Sequence, residues 1–325
     1  LHIACLALDV GPGDLVWTSP ISFVASANCA LYCGADVDFV DIDSATANMS
    51  VSALEKKLAQ AQLHGRLPKV IVPVHLAGTP CDMAAIRALG NQYGFSIIED
   101  ASHAIGARYL DAPVGACTYS DITVFSFHPV KIITTGEGGV ATTQSTALAQ
   151  RMELLRSHGV TRSPELMTRE PDGAWYYEQI DLGFNYRMTD IQAALGKSQM
   201  ERLNQFVNRR HEFAQWYDTN LEDLPVSNLA RPGDSRSSLH LYVLLVDEAN
   251  SRRRVFDSLR TQGISANVHY MPVYRQPYYE ALGFARGHCP HAEDYYARAI
   301  SLPLHPGLTT DDLESVRSAL QRALT

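Results

Sequence analysis

No run of basic residues offsets the net charge of −8, with 27 Lys and Arg against 35 Asp and Glu. A nucleic acid or an anionic membrane is thereby argued against as a partner, and any anionic substrate has to be met locally. No apolar stretch is long enough to span a bilayer and no leader pattern is present, so a cytoplasmic protein is expected. Cys5, Cys29, Cys33, Cys81, Cys117 and Cys289 show neither zinc-like double pairs nor a dense framework, which leaves reduced thiols. His288 and His291 have no partner pair at metal spacing, so no metal is expected. Gly196, Lys197 and Ser198 end like a phosphate-binding Walker loop. That motif needs glycine at 191, where Ile191 stands, and it falls inside a helix rather than before one. The first eight residues read as the middle of an amphipathic helix with neither cap nor initiator Met, so a preceding segment is expected.

What is present is a regular alternation. An apolar content of 46% over 325 residues supports a large domain with a smaller second one. Strands are expected at 14–18, 37–41, 69–74, 95–100, 122–125 and 139–143, with helices at 22–33, 51–62, 82–93 and 146–157 between or after them. This is the pattern of an α/β fold with a doubly covered, mostly parallel sheet. Pro73 marks either a sheet edge or a strand end. Residues 159–179 read as an exposed loop, whose Arg162 and Arg169 either meet a diphosphate or are solvated. Thr189 and Gln192 have capping-box spacing and open one long helical stretch to about Asn220. That stretch joins a large domain, 1–200, to a small α+β domain, 201–325, with strands at 239–246 and 264–269 and helices at 252–262, 292–300 and 311–324.

The sequence SFHPVKIITTGEGG at 126–139 holds the candidate reaction centre. Lys131 leaves the C-terminal end of the 122–125 strand, the ligand edge of an open α/β sheet. Thr134, Thr135, Gly136, Gly138 and Gly139 let the backbone turn sharply and approach a ligand. A buried lysine amine loses basicity and can condense with an aldehyde. Asp100 ends the 95–100 strand and reaches the same edge if the two strands share a sheet. The pair is either a plain ion pair or an acid that keeps a pyridine nitrogen protonated beside a lysine that holds the aldehyde of pyridoxal phosphate.

Three motifs resemble the nucleotide-sugar aminotransferases of the DegT/DnrJ/EryC1/StrS family: DASHAIG at 100–106, SFHPVK at 126–131 with GEGG at 136–139, and GFNYRMTDIQAALG at 183–196. The likeness covers nearly the whole chain in order. His103, where most relatives carry Gln, PISFVA at 20–25 and the IITT tail at 132–135 resemble the branch serving pseudaminic acid biosynthesis. The resemblance implies an aspartate-aminotransferase-like (fold type I) homodimer with shared active sites, pyridoxal phosphate as cofactor, glutamate as amino donor and a 4-keto-6-deoxy nucleotide sugar as substrate, UDP-linked or, as the alternative, dTDP- or GDP-linked. It assigns Lys131 as the lysine that binds the cofactor and Asp100 as the partner of the ring nitrogen. Phe23 would stack on the ring, although core packing is its other reading. His103 would contact the ring or its phenolic oxygen, or be structural, and Ser126 would donate to the phosphate. Asn185 would reach the partner subunit's phosphate, with Arg187 nearby, and His269 and Tyr270 would help form the sugar site or else be structural. In the family, residues before the first helix also donate to the phosphate. A sugar dehydratase of the same fold would carry His at the lysine position, so Lys131 favours transamination; a non-catalytic module with this fold is the other rival.

Overall fold

The computed structural model describes residues 1–248 and 251–325. A short helix, α1 (His2–Ala7), leads into β1 (Leu15–Thr18), α2 (Ala25–Tyr32), β2 (Asp36–Phe39), α3 (Val51–Leu63), β3 (Val70–Val72), α4 (Met83–Tyr93) and β4 (Ser96–Asp100). Strands Ile122–Ser126 and Gly139–Thr142 complete a six-stranded sheet, in the order β2, β1, β3, β4, Ile122–Ser126, Gly139–Thr142. All pairings are parallel except the last. Val70, Ile71 and Val72 are fully buried, as expected of a strand covered on both faces. Pro73 follows β3, which lies between β1 and β4, so it marks a strand end and not an edge.

Local chemistry sets the helix ends. Asp82 accepts the Ala85 N–H at 3.1 Å and opens α4, while Gly94, at φ 82°, closes it in the left-handed conformation. Leu54 and Leu58 of α3 are fully buried, each contributing roughly 1.5–3 kcal/mol through apolar surface removed from water.

The helix α5 (Thr146–Arg156) forms as expected. Thr189 and Gln192 make both halves of a capping box, but the long helix does not run through. It divides into α6 (Asp190–Met200) and α7 (Leu203–Asn220), with Arg202 leaving the helical region at φ −103°, ψ 1°. After α7 the small antiparallel sheet orders Val226–Asn228, Tyr242–Val246 and Ala299–Leu302. The helix expected at 292–300 is Pro290–Arg298, and Ala299 onward becomes a strand because it pairs with Tyr242–Val246. The strand expected at 264–269 is reduced to one bridge, Asn267 to Ser301. The 159–179 segment is ordered around a carboxylate. Glu178 accepts the backbone N–H groups of Thr168 at 2.7 Å and Arg169 at 2.9 Å, together with the hydroxyls of Thr168 and Tyr176.

One apolar cluster is formed only by residues from Phe213 onward, among them Tyr217, Val246, Leu259, Val316 and Leu320. Another joins Ala4, Cys5 and Val16 to Val243, Tyr274 and Tyr295, so the N- and C-terminal parts share a core. Among the described residues no helix is long and apolar enough to cross a membrane, and all six cysteines are free.

Candidate active site

The C-terminal ends of the sheet strands converge on a cavity of about 620 Å³. Phe23, Asp100, His103, Ser126, Lys131 and Tyr270 all line it. Asp100 and Ser126 are the last residues of neighbouring parallel strands, which is why residues 26 positions apart open into one space. Ile132 and Ile133 are buried and anchor the Lys131 loop, while the Thr134 hydroxyl donates to the Phe127 carbonyl at 2.9 Å. The turn closes on glycine: a Cβ on Gly138 would lie 2.3 Å from Thr135 Oγ1, and one on Gly139 would lie 2.6 Å from the Phe125 carbonyl oxygen. Burial lowers the pKa of the Lys131 amine, against a smaller opposing pull from the Asp100 charge.

Asp100 is buried and held from two sides. The Ser26 hydroxyl donates to Oδ2 at 2.6 Å, and Ser102 donates to Oδ1 through its hydroxyl at 2.5 Å and its backbone N–H at 3.1 Å. His103 Nε2 lies 3.2 Å from the Tyr270 hydroxyl. Burial, then the neighbouring His240, Lys131 and His269, push the His103 imidazole well below its ordinary value, so it stands neutral. Burial and the Asp100 charge raise the Tyr270 phenol, which stays protonated.

Three expected residues lie outside this cavity's lining. Asn185 accepts from Arg187 Nε at 3.2 Å, and both side chains are on the exposed side of the chain. Tyr186 between them does line the cavity, its ring stacked on Phe184 with centroids 4.9 Å apart. His269 places Nδ1 2.8 Å from Ser301 Oγ, against the small sheet, and burial with the Lys131 charge lowers it to about 4. The residues that sequence reasoning missed are Ser26, Ser102 and His240. Ser102 falls inside the DASHAIG motif and was within reach of it, whereas nothing local marks Ser26 or His240.

The DegT/DnrJ/EryC1/StrS aminotransferase family matches residues 1–321. The chain belongs to that family. As a DegT/DnrJ/EryC1/StrS aminotransferase it is 37% identical over 329 residues to the spore coat polysaccharide biosynthesis protein SpsC of Bacillus subtilis, covering 99% of this chain and 82% of that protein. It is 36% identical over 332 residues to the uncharacterized protein MJ1066 of Methanocaldococcus jannaschii, covering 100% and 83%. Among solved structures, PseC of Helicobacter pylori, an aminotransferase involved in the biosynthesis of pseudoaminic acid, superposes with a TM-score of 0.88 at 31% identity, covering 99% of this chain and 85% of that one. The aminotransferase from Psychrobacter cryohalolentis gives 0.88 at 29%, covering 99% and 83%.

Enzymes of this family work with pyridoxal phosphate, and the cavity fits that group. It offers a half-buried amine of lowered basicity, a carboxylate fixed by three hydrogen bonds, an unpartnered buried Nδ1 on His103 and the Phe23 ring, 62% exposed at the rim.

Proposed function

We propose that this chain is a cytoplasmic, homodimeric transaminase that carries the amino group of glutamate to C4 of a UDP-linked 4-keto-6-deoxy N-acetylhexosamine, in the route to pseudaminic acid. The observation that carries the chemistry is the opening of the Lys131 amine and the Asp100 carboxylate into one cavity. The choice of sugar is supported by the likeness to the Helicobacter pylori enzyme.

Pyridoxal phosphate, when bound, supplies an aldehyde for amines and a ring that withdraws electrons from the adjoining carbon. Lys131 would hold that aldehyde and, once released, use its neutral Nζ to take the α-proton of the amino donor. The ammonium so formed returns the proton to a neighbouring carbon, and the lowered basicity keeps both directions accessible. Asp100, fixed by Ser26 and Ser102, would accept a hydrogen bond from a protonated ring nitrogen. Ser126 would donate to the phosphate, Phe23 would cover a ring face, and His103 would meet the ring or its phenolic oxygen. Tyr270, His269 and Arg187 would serve the sugar side. Asn185, outside the cavity of its own chain, would act on the partner subunit's cofactor, making each site a product of two chains.

A panel of UDP-, dTDP- and GDP-linked 4-keto hexoses, incubated with the full-length enzyme and glutamate, tests this reading. Amination of the UDP-linked substrate is expected. Preference for a dTDP or GDP sugar would overturn the substrate, and binding of the cofactor without amination of any sugar would overturn the activity.

A further inference from the structure

His240 lies behind His103, outside the lining of the cavity. The two ring centroids are 4.5 Å apart with the planes tilted by 45°, and both Nδ1 atoms are buried without a hydrogen-bond partner. We propose that His240 is a positioning residue of this site, fixing the ring plane and the tautomer in which His103 meets the molecule bound in the cavity. The proposal rests on the reading of that cavity as the reactive centre.

The backbones bearing the two rings are locked together. Ser238 donates its hydroxyl to the His103 carbonyl at 2.8 Å and its N–H to the Gly78 carbonyl at 3.0 Å. Gly78, at φ +95°, permits this approach, since a Cβ there would stand 2.4 Å from Ser238 Oγ and 2.9 Å from the His103 carbonyl oxygen. Behind them the buried Arg210 donates from one Nη1 to the carbonyls of Leu239, His240 and Leu304. Both His240 and Tyr270 pack against the His103 ring, with centroids 4.5 Å and 6.1 Å away.

The charges around the pair settle its protonation. Lys131 and His269 face both rings, and Arg210 faces His240; among the described residues no carboxylate bonds either ring. Asp100 acts on Tyr270, whose phenol keeps its proton. Burial first, then these neighbours, lower both imidazoles well below their ordinary value. The Tyr270 hydroxyl, 3.2 Å from His103 Nε2, is the polar partner of that imidazole among the described residues, so this contact selects which nitrogen of neutral His103 carries the proton. His240 is the nearer of the two rings packed on His103, and it denies that ring the room to turn and break the bond to Tyr270.

The test is a nitrogen-15 histidine titration of the full-length protein, with His103 assigned through His103→Gln. His240→Phe keeps a ring in place but removes a neighbour that disfavours charge, so His103 is expected to titrate at higher pH than in the parent with its tautomer kept. His240→Ala admits water, moves the titration further and scrambles the tautomer. The kcat is expected to fall about ten- to a hundredfold in His240→Ala, with KM for the sugar little changed, as befits a displaced group. In the His103→Gln background neither substitution should alter the pH profile further. An unchanged His103 tautomer and midpoint in both variants, even with a lower Tm, would overturn the proposal. The titration needs no turnover, so it decides this point even if the proposed amination fails.

Discussion

Ser26 on α2 donates its hydroxyl to Asp100 Oδ2 at 2.6 Å, so the helix following the first strand holds the carboxylate that ends the fourth. Ser22 lies 2.6 Å from the same hydroxyl, and the Asp100 carboxylate is thereby fixed before any ligand arrives. A hydrogen bond to a charged acceptor contributes about 1.5–3 kcal/mol. Ser26→Ala is expected to lose stability on that scale in urea denaturation and to bind pyridoxal phosphate more weakly in an absorbance titration. Unchanged values in both measurements would show that Asp100 is held by Ser102 alone.

Burial makes the Lys131 amine less basic than a free lysine, so it becomes nucleophilic at lower pH. Borohydride trapping of pyridoxal phosphate, followed by peptide mapping, should label Lys131 ahead of the surface lysines, with a pH midpoint below 10.5, the ordinary value of a lysine amine. Lys131→Ala is expected to abolish the label at this position and to lower turnover by at least about 10²–10⁴-fold through loss of proton transfer. Labelling spread evenly over the lysines would remove the case for a reactive amine here.

The parts of this architecture that depend on near neighbours were legible in the sequence. Asp82 and Gly94 bracket α4, and Thr189 with Gln192 open α6, because caps are short-range chemistry. Asp100 and Lys131 could be placed at one sheet edge because parallel strands bring their C-terminal ends together. The break at Glu201 and Arg202 carries no Gly or Pro to announce it. Ala299–Leu302 leaves its helical pattern through pairing with a strand more than fifty residues away, a tertiary effect that local propensity does not contain. Ser26 and His240 were hidden for the same reason, since their partners Asp100 and His103 are distant in the chain.

The histidines around Lys131 make the fold acid-sensitive. His269 falls to about 4 in the folded protein against an ordinary 6.5, because burial and then the lysine charge disfavour its protonated form. Between those two values the unfolded chain binds the proton and the folded chain does not. The associated stability is therefore fully present above about pH 6.5 and lost as pH falls towards about 4. With partial exposure allowed for, the loss is about 2–3 kcal/mol. His103 and His240 are lowered too and act with the same sign. His269→Gln should therefore show a smaller fall of the urea midpoint across this window than the parent. Parallel falls in the two proteins would mean that other groups carry the acid response.

On the opposite side of β4 from Asp100, Glu99 is buried beneath the sheet and accepts from His75 Nε2 at 2.8 Å, from Thr123 Oγ1 at 2.9 Å and from the Ser120 hydroxyl. His75 Nδ1 in turn accepts the Cys81 N–H at 3.1 Å, which leaves Nε2 to carry the proton that faces Glu99. Burial alone would raise the Glu99 carboxyl, but the three donors, His75 foremost, hold it below its ordinary value. The backbone of His75 also donates to the Asp100 carbonyl at 3.1 Å, so the cluster ties the turn after β3 to the end of β4. Removing one partner of a buried, hydrogen-bonded pair costs about 3–5 kcal/mol, because the other is left without compensation. His75→Ala and Glu99→Ala are each expected to lose about that much in urea denaturation. The double variant should lose less than the sum, since neither remaining group is then stranded. Additive losses would show that the two side chains contribute independently and that the turn is held by its backbone bonds.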